Sequence, residues 1–160
     1  MQTKITSRDQ LTALVADRHR QGHRVVFTNG CFDLMHIGHV RYLQAARNLG
    51  DLLVVGVNSD ESVRSLNKGQ NRPIVPEAQR AEVLAALACV DSVVIFSEPD
   101  PGALIAAIQP DVLVKGGDWP LDRIVGREIV EARGGRVQTI PLVPGVSTTM
   151  LVQRIRATTA

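Results

Sequence analysis

The sequence predicts a single three-layer α/β domain in which a five-stranded parallel sheet is covered by helices on both faces. Three observations point there. Short Val/Ile/Leu-rich runs recur five times along the 160 residues. Each is followed by a stretch whose apolar residues return at helical spacing. The second run, LLVVGVN, is apolar on both sides instead of alternating, as a central parallel strand should be.

The elements follow in order. Residues 7–21 read as a helix, with Ser7 as N-cap, Leu11, Leu14 and Val15 as its apolar stripe and Gly22 as its stop. Residues 24–30 form the first strand. A helix over 37–48 carries Val40, Leu43, Ala46 and Leu49 at three-residue steps and ends at Gly50. The second strand, 52–58, is the apolar run LLVVGVN. Residues 59–73 are polar and read as a short helix followed by a surface loop with Gly69 and Pro73. A helix over 76–88 takes Pro76 into its first turn. The third strand is 92–96, a helix over 101–108 stops before Pro110, and the fourth strand is 111–117. A helix at 124–133, a fifth strand at 135–140 and a last helix at 147–156, capped by Ser147, complete the pattern.

Composition bounds the function. Hydrophobic residues make 44% of the chain and charged residues 21%, the balance of a soluble globular protein. A net charge of +2 and an aromatic share of 3% argue against a nucleic-acid partner, which would need a basic footprint or stacking platforms. Cys31 and Cys89 lie outside any metal-type spacing and are expected to be reduced thiols. The polar start MQTKITSRDQ does not read as a secretory signal, and no apolar run approaches the ~20 residues of a membrane span. The expected location is the cytoplasm, with no membrane partner.

In parallel sheets of this kind ligands bind beyond the carboxyl ends of the strands. There the chain places TNGCFDLMHIGH (28–39), Asn58-Ser59-Asp60, KGGDW (115–119) and the helix start Ser147-Thr148-Thr149. His36 and His39 stand three residues apart in a first helical turn, where free N–H groups and the helix dipole favour anions. Two imidazoles on one helix face can donate to phosphate oxygens, and Gly38 between them leaves room for a close approach. A metal site is not expected, because no third ligand stands at a suitable spacing.

TNGCFDLMHIGH, KGGDW and GVSTTMLVQRIR (145–156) together resemble the HxGH nucleotidyltransferases, the cytidylyltransferase-like superfamily. The resemblance runs over about 7–156 and implies a Rossmann-like domain. Within the superfamily the chain is similar to adenylyltransferases acting on D-glycero-β-D-manno-heptose 1-phosphate, which occur free-standing or as the C-terminal part of a kinase fusion. The implied reaction converts ATP and that sugar phosphate to ADP-heptose and pyrophosphate, for the heptose of the lipopolysaccharide core. The implied ion is Mg²⁺, held mainly by phosphates and water. A separate heptose 7-phosphate kinase in the same pathway and a homodimer or higher homo-oligomer are implied as well.

The resemblance assigns roles residue by residue. His36, His39, Lys68 and Arg80 are the expected catalytic set, with the last two reaching toward phosphate. Thr28, Asn29, Gly30, Cys31, Phe32 and Gly38 are expected beneath the phosphates. Lys115, Gly117 and Asp118 are expected at the nucleoside, with Asp118 accepting from ribose hydroxyls. Ser147, Thr148 and Thr149 are expected to cradle the outer phosphates. Asp33 stabilises its turn or orients a histidine, Arg72 is a further loop cation, and Trp119 covers the site or packs on a helix. PLVPGV (141–146) lacks the arginine that some relatives carry before the last helix. Two other readings stay open: a cytidylyltransferase for glycerol 3-phosphate or phosphoethanolamine, and a non-catalytic nucleotide-binding regulatory module.

Overall fold

The computed structural model describes residues 4–66 and 71–158. Ser7 opens α1 (Arg8–Arg20) through a reciprocal capping box with Gln10. Then follow β1 (Val25–Gly30), α2 (Ile37–Arg47), β2 (Leu52–Asn58), α3 (Asp60–Ser65), α4 (Glu77–Ala85) and β3 (Ser92–Phe96). The chain continues through α5 (Gly102–Ile108), β4 (Val112–Gly116), a 3₁₀ turn (Leu121–Arg123), α6 (Arg127–Glu131), β5 (Arg136–Ile140) and α7 (Thr148–Thr158).

All five strands are parallel, in the order β3-β2-β1-β4-β5. The first three strands step one way from β1 and the last two step the other way. The reversal opens a crevice beyond the carboxyl ends of β1 and β4, the place where such sheets bind ligands. Alternate residues of each strand face opposite helical layers. Val25, Phe27, Val54 and Leu113 pack with Leu11, Leu104, Ile105 and Val130, from α1, α5 and α6. Val26, Leu53, Val55 and Val114 pack with Leu43, Ala46, Ala81 and Leu84, from α2 and α4. Each such side chain, fully withdrawn from water, contributes about 1.5–3 kcal/mol.

The amino ends of the strands are closed by aspartates. The carboxylate oxygens of Asp51, Asp111 and Asp91 accept from the main-chain N–H of Arg24 (2.7 Å), Val25 (2.7 Å) and Leu53 (2.8 Å). These N–H groups lie where the ladder begins and would otherwise lack a partner.

Several boundaries differ from the sequence reading. The helix expected at 124–133 is only α6, because Gly126 adopts φ +89° and a Cβ there would come within 2.5 Å of Ile105. The helix expected at 76–88 ends at Ala85, and Pro76 is its N-cap, outside the first turn. Gln109, expelled from the right-handed helical region by Pro110, closes α5 at φ 50°. No described helix is long and apolar enough to cross a membrane.

Candidate active site

Strand β1 delivers the chain into the turn 31–35, and the turn delivers it to the first residue of α2. Phe32 takes the left-handed conformation there, φ 47°. His36 is the N-cap of α2 and His39 its third residue. The two rings stack with centroids 3.9 Å apart and planes at 27°. The ring of Phe32 lies against His39, with centroids 5.5 Å apart.

The hydrogen bonds at this helix start settle which ring nitrogens face outward. Gly38 N–H donates to Nδ1 of His36 at 3.1 Å, and His36 N–H donates to Nδ1 of His39 at 3.3 Å. A main-chain N–H can only donate, so each Nδ1 carries a lone pair and each proton sits on Nε2. Burial lowers the pKa of His36, and burial together with the neighbouring His36 lowers that of His39 to about 4. At neutral pH the pair is therefore two uncharged rings with Nε2–H donors. Neither Nε2 has an acceptor among the described residues.

Gly38 serves this geometry in a way the sequence did not suggest. The space beside its Cα is filled by the ring of His36, and a Cβ there would lie 2.9 Å from Cε1 and Nδ1. The ring of His36 thus gives position 38 a reason of its own to be glycine.

Other predicted residues converge on the same end of the sheet. Lys115 Nζ donates to the Asn29 carbonyl at 3.3 Å and lies 5.5 Å from the centre of the Trp119 ring. Trp119, 46% exposed, is a rim residue and not a core packer. Asp118 is exposed. Gly117 N–H donates to the Ile140 carbonyl at 2.8 Å, and Pro141 crowds its Cα, so this glycine joins β4 to β5 instead of opening space for a ring. Ser147 caps α7, its hydroxyl accepting from Met150 N–H at 3.1 Å. Thr148 donates to the Leu34 carbonyl at 3.4 Å and so ties α7 to the histidine turn, while Thr149 is exposed. Gly30 ends β1, with the Phe32 ring against it.

Thr28, Arg72 and Arg80 are engaged within the protein, and Asp33 takes the first of its two predicted roles. Thr28 is fully buried and its hydroxyl meets the Tyr42 hydroxyl at 2.7 Å, so it is not free for a phosphate. Asp33 does not orient a histidine. Its oxygens accept from Ile74 N–H (2.9 Å) and Val75 N–H (2.8 Å), and Arg72 Nε lies 2.6 Å away. Arg72 is thereby paired with a carboxylate of the turn. Arg80, expected at a phosphate, is 1% exposed. It donates to the carbonyls of Val75 (2.9 Å) and Cys31 (2.5 Å) and to Asp60 (2.7 Å). A buried guanidinium must be paired in this way, and the pairing holds it beneath the turn. Lys68 lies outside the described residues. Cys31 and Cys89 are free thiols, with Cys31 buried.

Sequence reasoning missed Tyr42. Its phenol is held in the neutral form chiefly by burial, with the charge of Asp118 acting in the same direction against the Thr28 hydrogen bond. Position 42 lies one face-repeat beyond His39 on α2, which was the available signal. A concavity of about 670 Å³ lies elsewhere, at the amino end of the sheet, lined by His19, His23, Arg24, Asp51, Asp111 and Arg133 among others. Its two aspartates are engaged in closing strand ends, and none of the predicted site residues lines it. Among the described residues no cluster of three or more His, Cys, Asp or Glu side chains could hold a metal ion. An ion carried by phosphates and water requires no such cluster.

Comparison with known proteins adds the following. The family model described as cytidylyltransferase-like matches residues 27–154. The chain is 58% identical over 153 residues to the bifunctional protein HldE of Geotalea uraniireducens, covering 96% of this chain and 31% of that protein. It is 55% identical to the bifunctional protein HldE of Citrifermentans bemidjiense over the same length. The chain thus spans about a third of the length of these relatives. Among solved structures, the lipopolysaccharide core biosynthesis protein of Thermoplasma volcanium matches at a TM-score of 0.64 and 30% identity, over 76% of this chain and 98% of that one. A pantoate-beta-alanine ligase of Francisella tularensis matches at 0.59 and 14% identity, over 88% and 67% of the two chains, a likeness of fold alone.

Proposed function

The chain belongs to the cytidylyltransferase-like family, and from that premise we propose that it transfers an adenylyl group from ATP to D-glycero-β-D-manno-heptose 1-phosphate. The observation that carries the reading is the stacked pair His36 and His39, neutral and with both Nε2–H groups unused, at the switch point of the sheet. The relatives named HldE and the lipopolysaccharide core protein support the sugar and the pathway.

The reaction is a displacement at the innermost phosphorus. An oxygen of the sugar phosphate forms a bond to Pα, the bond from Pα to the bridging oxygen breaks, and pyrophosphate leaves with that electron pair. The attacking oxygen is already anionic at neutral pH, so no general base is needed. The barrier is charge repulsion and alignment. The two Nε2–H groups stabilise the charge that builds on the reacting phosphates, each such donor being worth about 3–4 kcal/mol of barrier. Main-chain N–H groups of the turn 31–33 and of the first turn of α7 receive the remaining phosphate charge. Lys68 is proposed as a cation for the phosphates and Asp118 as the acceptor for ribose hydroxyls. Mg²⁺ bound to the triphosphate would neutralise charge between its oxygens, held by phosphates and water.

We place the reaction in the cytoplasm, after a kinase that makes the sugar 1-phosphate, and expect a homo-oligomer. Pyrophosphate release measured with ATP or CTP against a panel of phosphorylated acceptors tests the reading. Turnover with ATP and heptose 1-phosphate supports it. Strict use of CTP with glycerol 3-phosphate or phosphoethanolamine would replace it with a cytidylyltransferase, and nucleotide binding without turnover on any acceptor would replace it with a regulatory module.

A further inference from the structure

We propose that Arg80 is a positioning residue that aims the Phe32 N–H at the nucleotide's phosphates by pinning the carbonyl of Cys31. The inference rests on the nucleotide reading above and deepens it.

The turn is gripped in a closed circuit. Asp33 accepts from Val75 N–H at 2.8 Å. The Val75 carbonyl accepts from Arg80 Nε at 2.9 Å, and a terminal nitrogen of Arg80 returns to the Cys31 carbonyl at 2.5 Å. The other terminal nitrogen is held by Asp60, 2.7 Å away. Turn 31–33 and the peptide of Val75 therefore fix one another, with Arg80 as the link.

The consequence follows from peptide planarity. In a trans peptide the C=O of one residue and the N–H of the next point in opposite directions. Arg80 lies in the interior, its side chain without solvent exposure. A Cys31 carbonyl drawn down onto it turns the Phe32 N–H away from the interior. Among the described residues that N–H has no acceptor, and neither do those of Cys31 and Asp33. Phe32 itself is in the left-handed conformation at φ 47°. A turn with one residue in that region can direct successive N–H groups to one side and make an anion-binding concavity. Without the guanidinium, the Cys31–Phe32 peptide loses the contact that specifies its direction.

A buried arginine is costly, and a position that only needed filling would be served by Leu or Met. Arg80→Met keeps the length of the side chain and removes the donors, and Asp60, the acid it leaves behind, is partly exposed. The expected result is a fall in kcat of about 100-fold with KM for the sugar phosphate within about twofold of wild type. Arg80→Lys, which keeps one donor, recovers about tenfold of that loss. Asp60→Asn slackens the anchor and lowers kcat in the same direction. Were Arg80 instead to swing out and touch phosphate itself, releasing it from Asp60 would leave turnover unchanged or raise it, and the proposal would fall.

A readout free of turnover decides the matter. In a ¹H–¹⁵N titration with α,β-methylene ATP, a non-reacting analogue, the Phe32 amide proton of the wild type moves downfield. In Arg80→Met, or in Asp60→Asn should the former not fold, that displacement falls by more than half. An equal displacement in the variant overturns the inference while leaving the nucleotide reading intact. The same holds if the histidine signals move and Phe32 does not. If no signal in the turn responds to the analogue, the nucleotide reading fails and the inference goes with it.

Discussion

Gly38 shows how one residue serves the site through another. Its N–H holds the ring of His36, and its missing Cβ makes room for that ring. Alanine is the better helix former by about 1 kcal/mol. Gly38→Ala should therefore melt no lower than wild type, yet lose pyrophosphate-forming activity as the ring is expelled. An equal fall in both would mean the glycine matters only to the fold. His36→Ala and His39→Ala should each lower kcat by about 10²–10³-fold with the melting temperature little changed. Acid stability should report His39. Its folded pKa is depressed to about 4 from an ordinary 6.5, so the folded state binds the proton less readily than the unfolded chain. That contribution is whole above pH 6.5 and is lost as pH falls toward 4. Melting temperature followed from pH 7 to 4 should drop less steeply in His39→Gln than in wild type. The HxGH spacing made both rings legible in the sequence. Their tautomer was not, because it depends on which N–H the helix start leaves free.

Helix α2 carries both rings and is held by Leu43 and Ala46, buried against the sheet. Leu43→Ala should cost about 2–5 kcal/mol in chemical denaturation, the range for a cavity under a packed helix. The aspartates at the amino ends of the strands offer the complementary test. Asp91 closes the start of β2, far along the strand from the histidines. Asp91→Ala should cost about 1–3 kcal/mol and leave kcat unchanged, since it leaves an orphaned N–H but touches nothing at the carboxyl ends. Strands β1 to β4 were legible because each contains an uninterrupted apolar run bounded by polar residues, whereas β5, RVQTI, is mixed and carries no buried residue. The end of α4 and the start of α6 were not. The first is set by how the chain turns into β3, the second by the contact between Gly126 and Ile105.

At the scale of the molecule the strand order gathers distant segments onto one edge. Turn 31–35, the exit of β4 and the start of α7 meet there because β1 is flanked by β2 and β4. The sequence announced that meeting through polar and glycine residues after each strand. It could not say which of them face a ligand and which face one another. Arg80, Asp33 and Arg72 read as phosphate contacts or open cases, and the fold spends them on holding the turn in place. Burial decided each of those cases, and burial is a property of the packed molecule. The account stands most directly on the state of the two imidazoles, which long-range ¹H–¹⁵N spectra of the histidines at pH 7 report. Both rings should be neutral with the proton on Nε2, and both Nε2 signals should shift when Mg²⁺-ATP is added. A proton on Nδ1 of either ring, or rings indifferent to ATP, would contradict it.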